Sequence, residues 1–208
     1  MIIELCGMPG AGKTSVAKRL EQEYGFITIR ITSASELIFR NVLYTLRHPY
    51  KTLQLLVTLL RTAAPRSYWY KFTNLVLHPN AKYQKAAGVK RAIIDQGHYQ
   101  SAMSFFETKE TAEHMKRALR GAAQPDMLFL FKLGEETRTK RLLGRSYIVR
   151  ARDGEAAFRD RLAIMEHNFN LFLSSPNLST GTSIVIDSEA SKDKVYAAVV
   201  AALTPHLS

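Results

Sequence analysis

The chain has 208 residues, 46% of them hydrophobic and 23% charged, which suits one globular domain with a full core and argues against a disordered or fibrous protein. Its single cysteine, Cys6, allows no intramolecular disulfide and fits a reducing compartment, and the apolar run Leu53 to Leu60 is too short to span a bilayer. The expectation is a cytoplasmic protein without a secretory leader, with one domain over residues 1–208.

The formal net charge is +11, and it is unevenly placed. Between Leu37 and Ile94 there is no Asp or Glu, while Arg40, Arg47, Lys51, Arg61, Arg66, Lys71, Lys82, Lys85, Lys90 and Arg91 fall in that stretch. An acid-free basic segment points to an anionic partner, or else to a solvated basic face with no ligand.

In chain order, Ile2, Ile3, Leu5 and Cys6 form an apolar run that reads as a buried strand. Gly7-Met8-Pro9-Gly10-Ala11-Gly12-Lys13-Thr14 follows and fits G-x-x-x-x-G-K-[ST], the phosphate-binding loop. Ser15 to Tyr24, with Val16 and Leu20 on one face, reads as the helix that such a loop opens. The glycines free the backbone so that several N–H groups can converge on one anion. The helix adds a partial charge of about +0.5 at its N-terminus. Gly7, Pro9, Gly10, Ala11, Gly12, Lys13, Thr14 and Ser15 are therefore the candidate ATP contacts, with Lys13 on the β- and γ-phosphates and the Thr14 hydroxyl on Mg²⁺.

Gly25 stops the first helix, and Phe26 to Ile31 alternates as a second strand. Ser33 and Glu36 have the spacing of a capping box. Residues 36–90 are helical by pattern, in pieces ended by His48-Pro49, interrupted at Pro65 and stopped by Pro79. So long a connection between two strands marks an insert with a function of its own. Arg91 to Ile94 is a third strand, and a helical stretch is expected from about Ser101 to Arg120. Asp126 to Leu133 is an emphatic strand, Glu135 to Leu143 a charged helix, and 144–154 a basic lid loop. An amphipathic helix through Phe158, Leu162, Met165, Phe169 and Phe172, a short strand Ile184 to Asp187 and a helix from Lys192 to Leu203 close the chain.

Strands alternating with helices predict an α/β fold, a parallel sheet covered on both faces, with its ligands beyond the carboxyl ends of the strands. Asp95, at the end of an apolar strand, is placed to hold Mg²⁺ or to act as general base. His98 is a second candidate for the base. Arg138, Arg141, Arg145, Arg150 and Arg152 form a cluster suited to closing over a transferring phosphoryl group.

With these pieces in order, the chain resembles the nucleoside- and nucleotide-kinase group of P-loop proteins, which includes the thymidylate and adenylate kinases. The resemblance rests on Gly7 to Thr14, Ile93-Ile94-Asp95, Arg141-Leu142-Leu143-Gly144-Arg145 and Ile184-Val185-Ile186-Asp187. It implies a three-layer P-loop NTPase sandwich with a five-stranded parallel sheet in order 2-3-1-4-5, Mg-ATP as donor, and an acceptor site beneath the insert. It also implies that Arg141 lies against the adenine, that Arg145 meets phosphates, and that Arg150 and Arg152 are lid arginines. Asp187, which the sheet pattern puts at the same carboxyl edge as Asp95, is a further candidate cofactor contact. After Asp95, thymidylate kinases carry an arginine, whereas this chain has Gln96-Gly97-His98-Tyr99-Gln100.

The expected function is transfer of the γ-phosphoryl of Mg-ATP to a nucleotide, nucleoside or related small and anionic acceptor. Lys13, Asp95, Arg145, Arg150 and Arg152 would do the chemistry, and Arg40, Arg47, Gln96, His98 and Gln100 would bind the acceptor. The alternative is an ATP-binding protein or ATPase whose basic insert, residues 37–94, docks a membrane surface or nucleic acid. A homodimer is compatible with either.

Overall fold

The computed structural model describes residues 1–62, 67–143, 155–175, 178 and 181–207. Strands β1 (Ile2–Gly7), β2 (Ile27–Thr28), β3 (Ala92–Ile94), β4 (Met127–Lys132) and β5 (Thr182–Asp187) form one parallel sheet in order β2-β3-β1-β4-β5. This is the order the resemblance implied.

The emphatic strand explains why the sheet is covered on both faces. Along β4, Leu128 and Leu130 join one core with Met103, Phe169 and Phe172, while Phe129 and Phe131 join a second with Val16, Leu20, Val199 and Leu203. Alternate residues of a strand point to opposite faces, so a strand buried on both sides reads as a continuous apolar run. Each such side chain contributes roughly 1.5–3 kcal/mol. Helices α1 (Lys13–Tyr24) and α10 (Lys192–Leu203) supply one layer, and α6 (His98–Phe105) and α9 (Glu155–Ser174) supply the other. Gly25, at φ 65°, ends α1 in the left-handed conformation.

Between β2 and β3 lies the insert: α2 (Ala34–Arg47), α3 (Pro49–Thr62), α4 (Tyr68–Lys71), a π-helical turn over Phe72–Leu77, and α5 (His78–Ala86). The Glu36 N–H donates to Ser33 Oγ at 3.1 Å, so the cap read from sequence forms. A third core, containing Tyr44, Tyr83 and Ile94, seats the insert on the sheet.

Three expectations need correction. The second strand, read as Phe26 to Ile31, has only two residues in the ladder, although Ile29 N–H still reaches Ile93 O at 2.9 Å. It is an edge strand, and Thr28 N–H bonds to Glu21 Oε1 instead. Pro79 does not stop a helix. The π-helical turn just before it widens the coil, with His78 N–H bonded to Thr73 O, and this accommodates a ring that would otherwise press on the carbonyl four residues back. The helical stretch expected over 101–120 is divided into α6 and α7 (Ala112–Ala118). The side chain of Asn168, fully buried, holds the break by accepting from Glu110 N–H at 2.9 Å and donating to Thr108 O. The charged helix, α8 (Glu135–Leu143), is as read. Among the described residues, no helix is long and apolar enough to cross a membrane.

Candidate active site

The carboxyl ends of β1 and β3 open onto a cleft of about 1100 Å³. The loop from Pro9 to Ser15 lines one side, Asp95 lies at the end of β3, and Gln96, Gln100 and Ser101 from the α6 region face them. The far wall is Tyr70, Lys71 and Asn74 from the insert together with Leu162 and Met165 from α9.

The loop takes its shape from its glycines. Gly10 and Gly12 sit at φ 86° and 89°, where a side chain is strained. Lys13 folds back over the loop, its Nζ donating to Gly7 O at 2.5 Å and Met8 O at 3.2 Å. Burial lowers its pKa to about 8, against the opposing negative charge of Asp95. Thr14 is exposed at the start of α1.

Arg141, on α8, donates to Gly10 O at 3.3 Å and Ser188 O at 3.1 Å, so it bridges the loop to the end of β5. Asp187 Oδ1 accepts from Glu189 N–H at 2.9 Å and so shapes the turn beside Arg141 without lining the cleft. Arg138 is buried against Glu166 at 3.0 Å. The expected lid, with Arg145, Arg150 and Arg152, lies outside the described residues.

The acceptor-side expectations divide. Gln96 and Gln100 line the cleft. Arg40 and Arg47 lie on α2 and do not, and Arg47 points to solvent. His98 is fully buried, stacked on Tyr83 with centroids 5.5 Å apart. Burial pushes its pKa down to about 3, so it is a neutral interior ring and neither meets the cleft nor stands as its base. Its position, the first residue of α6, turns it inward while Gln100 turns toward the loop.

The sequence reading passed over four residues. Glu4 is fully buried in the middle of β1. Its Oε2 accepts from Tyr83 OH at 2.7 Å and its Oε1 from Gln100 N–H at 2.9 Å. It therefore caps the N-terminus of α6 from another strand, where Gly97 offers no side chain. A Cβ on Gly97 would lie 2.2 Å from Glu4 Oε2. Gln100 Oε1 in turn accepts from Gly7 N–H at 2.9 Å, so one chain of hydrogen bonds joins insert, α6 and loop. Burial raises the Glu4 pKa to about 7, against the Tyr83 hydrogen bond. A lone acid inside an apolar strand was the available signal. Lys82, nearly buried, donates to Asp95 Oδ1 at 3.4 Å and Gln96 O at 3.2 Å. Lys71, 5% exposed, pairs with Glu107 at 3.2 Å, and Asn74 lines the cleft nearby. No spacing in the sequence distinguishes these two lysines from the other cations of the insert.

The architecture has counterparts of known structure. The chain is similar to the deoxyadenosine kinase from M. mycoides with bound dATP, over 98% of this chain and 100% of that one, with a TM-score of 0.61 and 13% identity. The two chains share one fold. The same enzyme with the products dCMP and a flexible dCDP bound matches over 99% of this chain and 100% of that one, with a TM-score of 0.61 and 14% identity. The cytidylate kinase of Methanocella arvoryzae is 66% identical over 29 residues, a stretch that spans 14% of this chain and 17% of that relative. No protein-family model matches the chain. On the P-loop kinase fold, the cleft described above falls between the loop and the helices that follow β2 and β3.

Proposed function

We propose that this protein is a P-loop phosphotransferase that moves the γ-phosphoryl of Mg-ATP to a hydroxyl of a nucleoside, nucleotide or related small molecule. The observation that carries the reading is one cleft lined at once by the phosphate-binding loop, by Asp95 and by the amide side chains of Gln96, Gln100 and Asn74. A loop that only bound a Mg-triphosphate would use the carboxylate but would not need the opposing wall of neutral hydrogen-bonding groups.

The triphosphate takes the N–H groups of Gly10 to Thr14 and the N-terminus of α1. Lys13 leaves the carbonyls of Gly7 and Met8 for the phosphate oxygens and stabilises charge that develops there. Mg²⁺ is held in such sites by one or two protein oxygens together with phosphates and water. The Thr14 hydroxyl and the Asp95 carboxylate, both lining the cleft, would be that oxygen set. When bound, the ion neutralises the β- and γ-oxygens. Lys82 fixes the Asp95 carboxylate at the cleft, where it holds the metal shell or receives the acceptor's proton.

The acceptor lies against the α6 wall. Gln96, Gln100, Ser101, Ser104 and Asn74 are neutral hydrogen-bonding groups, suited to hydroxyls and heterocycle edges. Both buried lysines beside the cleft are already paired with carboxylates. An anionic group on the acceptor can meet Arg161 of α9, which also lines the cleft, together with residues outside the described set, Arg145, Arg150 and Arg152 among them.

The test is a screen with labelled ATP against nucleosides, nucleoside monophosphates and sugars, run on the intact chain and on Asp95→Asn. Transfer to one class, lost in the variant, is expected. Hydrolysis without transfer to any acceptor would overturn the reading.

A further inference from the structure

Helix α2 has two apolar faces, which a surface helix does not need. Tyr44 goes into the core, yet Ile38, Val42 and Leu46, at i, i+4 and i+8, are 66%, 52% and 73% exposed, with Phe39 beside them. Helix α3 repeats this. Leu55 and Leu59 are fully buried, while Tyr50, Leu53 and Leu60 face solvent. The two helices are consecutive and in contact.

Beneath α3, against α7, lies a second groove of about 340 Å³. Tyr50, Leu53 and Val57 give it an apolar side, and Arg61, Arg117 and Arg120 are exposed along it. Among the described residues no carboxylate lines it. Of the cations in the acid-free segment, Lys71, Lys82 and Lys85 are engaged with Glu107, Asp95 and Glu36. Arg47 and Arg61 stay at the surface with the exposed aliphatic residues.

We infer that the outer face of α2 and α3, with the arginine-lined groove beneath α3, docks on a membrane surface that carries anionic phospholipid. Charge complementarity chooses the occupant. A second copy of the chain would add a second set of Arg47, Arg61, Arg117 and Arg120 to this face, and the stretch between Leu37 and Ile94 has no carboxylate to offset them. A nucleic acid would use the arginines but not Ile38, Val42, Leu46, Leu53 and Leu60, because its surface contacts are made through phosphates and stacked aromatic rings. An anionic bilayer takes both sets. The aliphatic side chains enter the boundary between headgroups and acyl chains, and the arginines, with their long apolar stems, meet the phosphates. The docking is peripheral, and it does not depend on the phosphotransfer reading.

Co-sedimentation of the full chain with vesicles tests it. The vesicles are phosphatidylcholine alone or phosphatidylcholine with about a third phosphatidylglycerol, at low and at moderate salt. The expected result is binding to the anionic vesicles, about tenfold or more stronger than to the neutral ones, and weakened by salt. Two double variants, R117E/R120E and L53S/L60S, should each reduce vesicle binding about tenfold while leaving nucleotide binding and the thermal melt unchanged. All four positions are exposed, so neither variant threatens folding. Failure to sediment with anionic vesicles at low salt would overturn the inference. So would vesicle binding that survives both variants, or an ultracentrifuge dimer that L53S/L60S dissociates. Competition by duplex DNA that R117E/R120E abolishes and L53S/L60S spares would transfer the face to nucleic acid.

Discussion

The loop end of the sheet and the helical insert solve opposite problems. At the loop, strongly polar groups gather in a confined space, and three of them find partners in the chain. Lys13 meets two carbonyls, Arg141 meets Gly10 O and Ser188 O, and Gln100 meets Gly7 N–H. In the insert the ordinary arrangement is inverted. Lys71 and Lys82 are nearly buried, while Ile38, Leu46 and Leu60 are among its most exposed side chains. The stretch between Leu37 and Ile94 has no acid, so Lys71 and Lys82 pair with Glu107 and Asp95 beyond it, and Lys85 pairs with Glu36 in the first turn of α2. Part of the insert's basic character is thus internal mortar, tying it to the cleft. The part left over lies on the face with the surplus apolar residues.

The sharpest test of the loop end is Lys13→Ala. Its ammonium is the cation most directly placed for the phosphates, and its loss should reduce phosphoryl transfer about 100-fold or more. The acceptor's KM should change little, because the acceptor contacts lie on the α6 wall. Unchanged transfer in a steady-state assay would mean that the loop is not the donor site. Next in size is the pH response of Glu4. Its folded pKa of about 7 stands above the ordinary 4.5, so the native state holds a proton that the unfolded chain releases. The stability from this group is complete below pH 4.5 and is lost as pH rises through about 7, amounting to roughly 3 kcal/mol. Thermal melts from pH 5 to pH 8 should show that decline in the native chain and a much flatter course in Glu4→Gln.

These two residues also mark what could be read from sequence. Lys13 was legible because the loop needs a fixed spacing of glycines and a lysine between a strand and a helix, all within a few residues. Strand order followed from the resemblance to the P-loop kinases, whereas β4 itself was legible as a strand because it is buried on both faces and carries an unbroken apolar run. Glu4 was not legible, because its partners Tyr83 and Gln100 lie 79 and 96 residues away and only the fold joins them. His98 misled for the same reason. Its neighbours in sequence, Gln96 and Gln100, do face the cleft, but the first turn of α6 rotates His98 toward Tyr83. Pro79 misled because a π-helical turn can absorb a proline, and nothing in the local pattern announces one.

Two further substitutions sharpen the join between the regions. Gly97→Ala should destabilise by roughly 1–3 kcal/mol, because the new methyl meets the Glu4 carboxylate. In a denaturation cycle, Glu4→Ala should relieve most of that penalty. An additive double variant would show that the contact does not set the position of α6. A smaller effect belongs to Lys13. Nucleotide affinity should fall by up to about tenfold per pH unit above pH 8, as the ammonium loses its proton, whereas below pH 8 the charge is present and affinity should be level. Calorimetric titration across pH 7–9.5 measures this, and a level profile through that range would remove Lys13 from the phosphates.

The smallest expected effect bears on the insert and is informative because it is small. Leu46→Gln on α2 should leave the melting midpoint within about 0.5 kcal/mol of the native chain, since an exposed apolar side chain contributes little to the fold. Were Leu46 instead buried against a second copy, the same change would create a polar group in an apolar interface. Stability would then fall by more than about 1 kcal/mol and depend on protein concentration. A concentration series of melts on this single variant therefore asks whether the chain itself covers the outer face of α2. A midpoint that is flat with concentration and close to the native value leaves that face open for a partner of different chemistry, and it would preserve the contrast between a loop end closed by its own polar groups and an insert that is not.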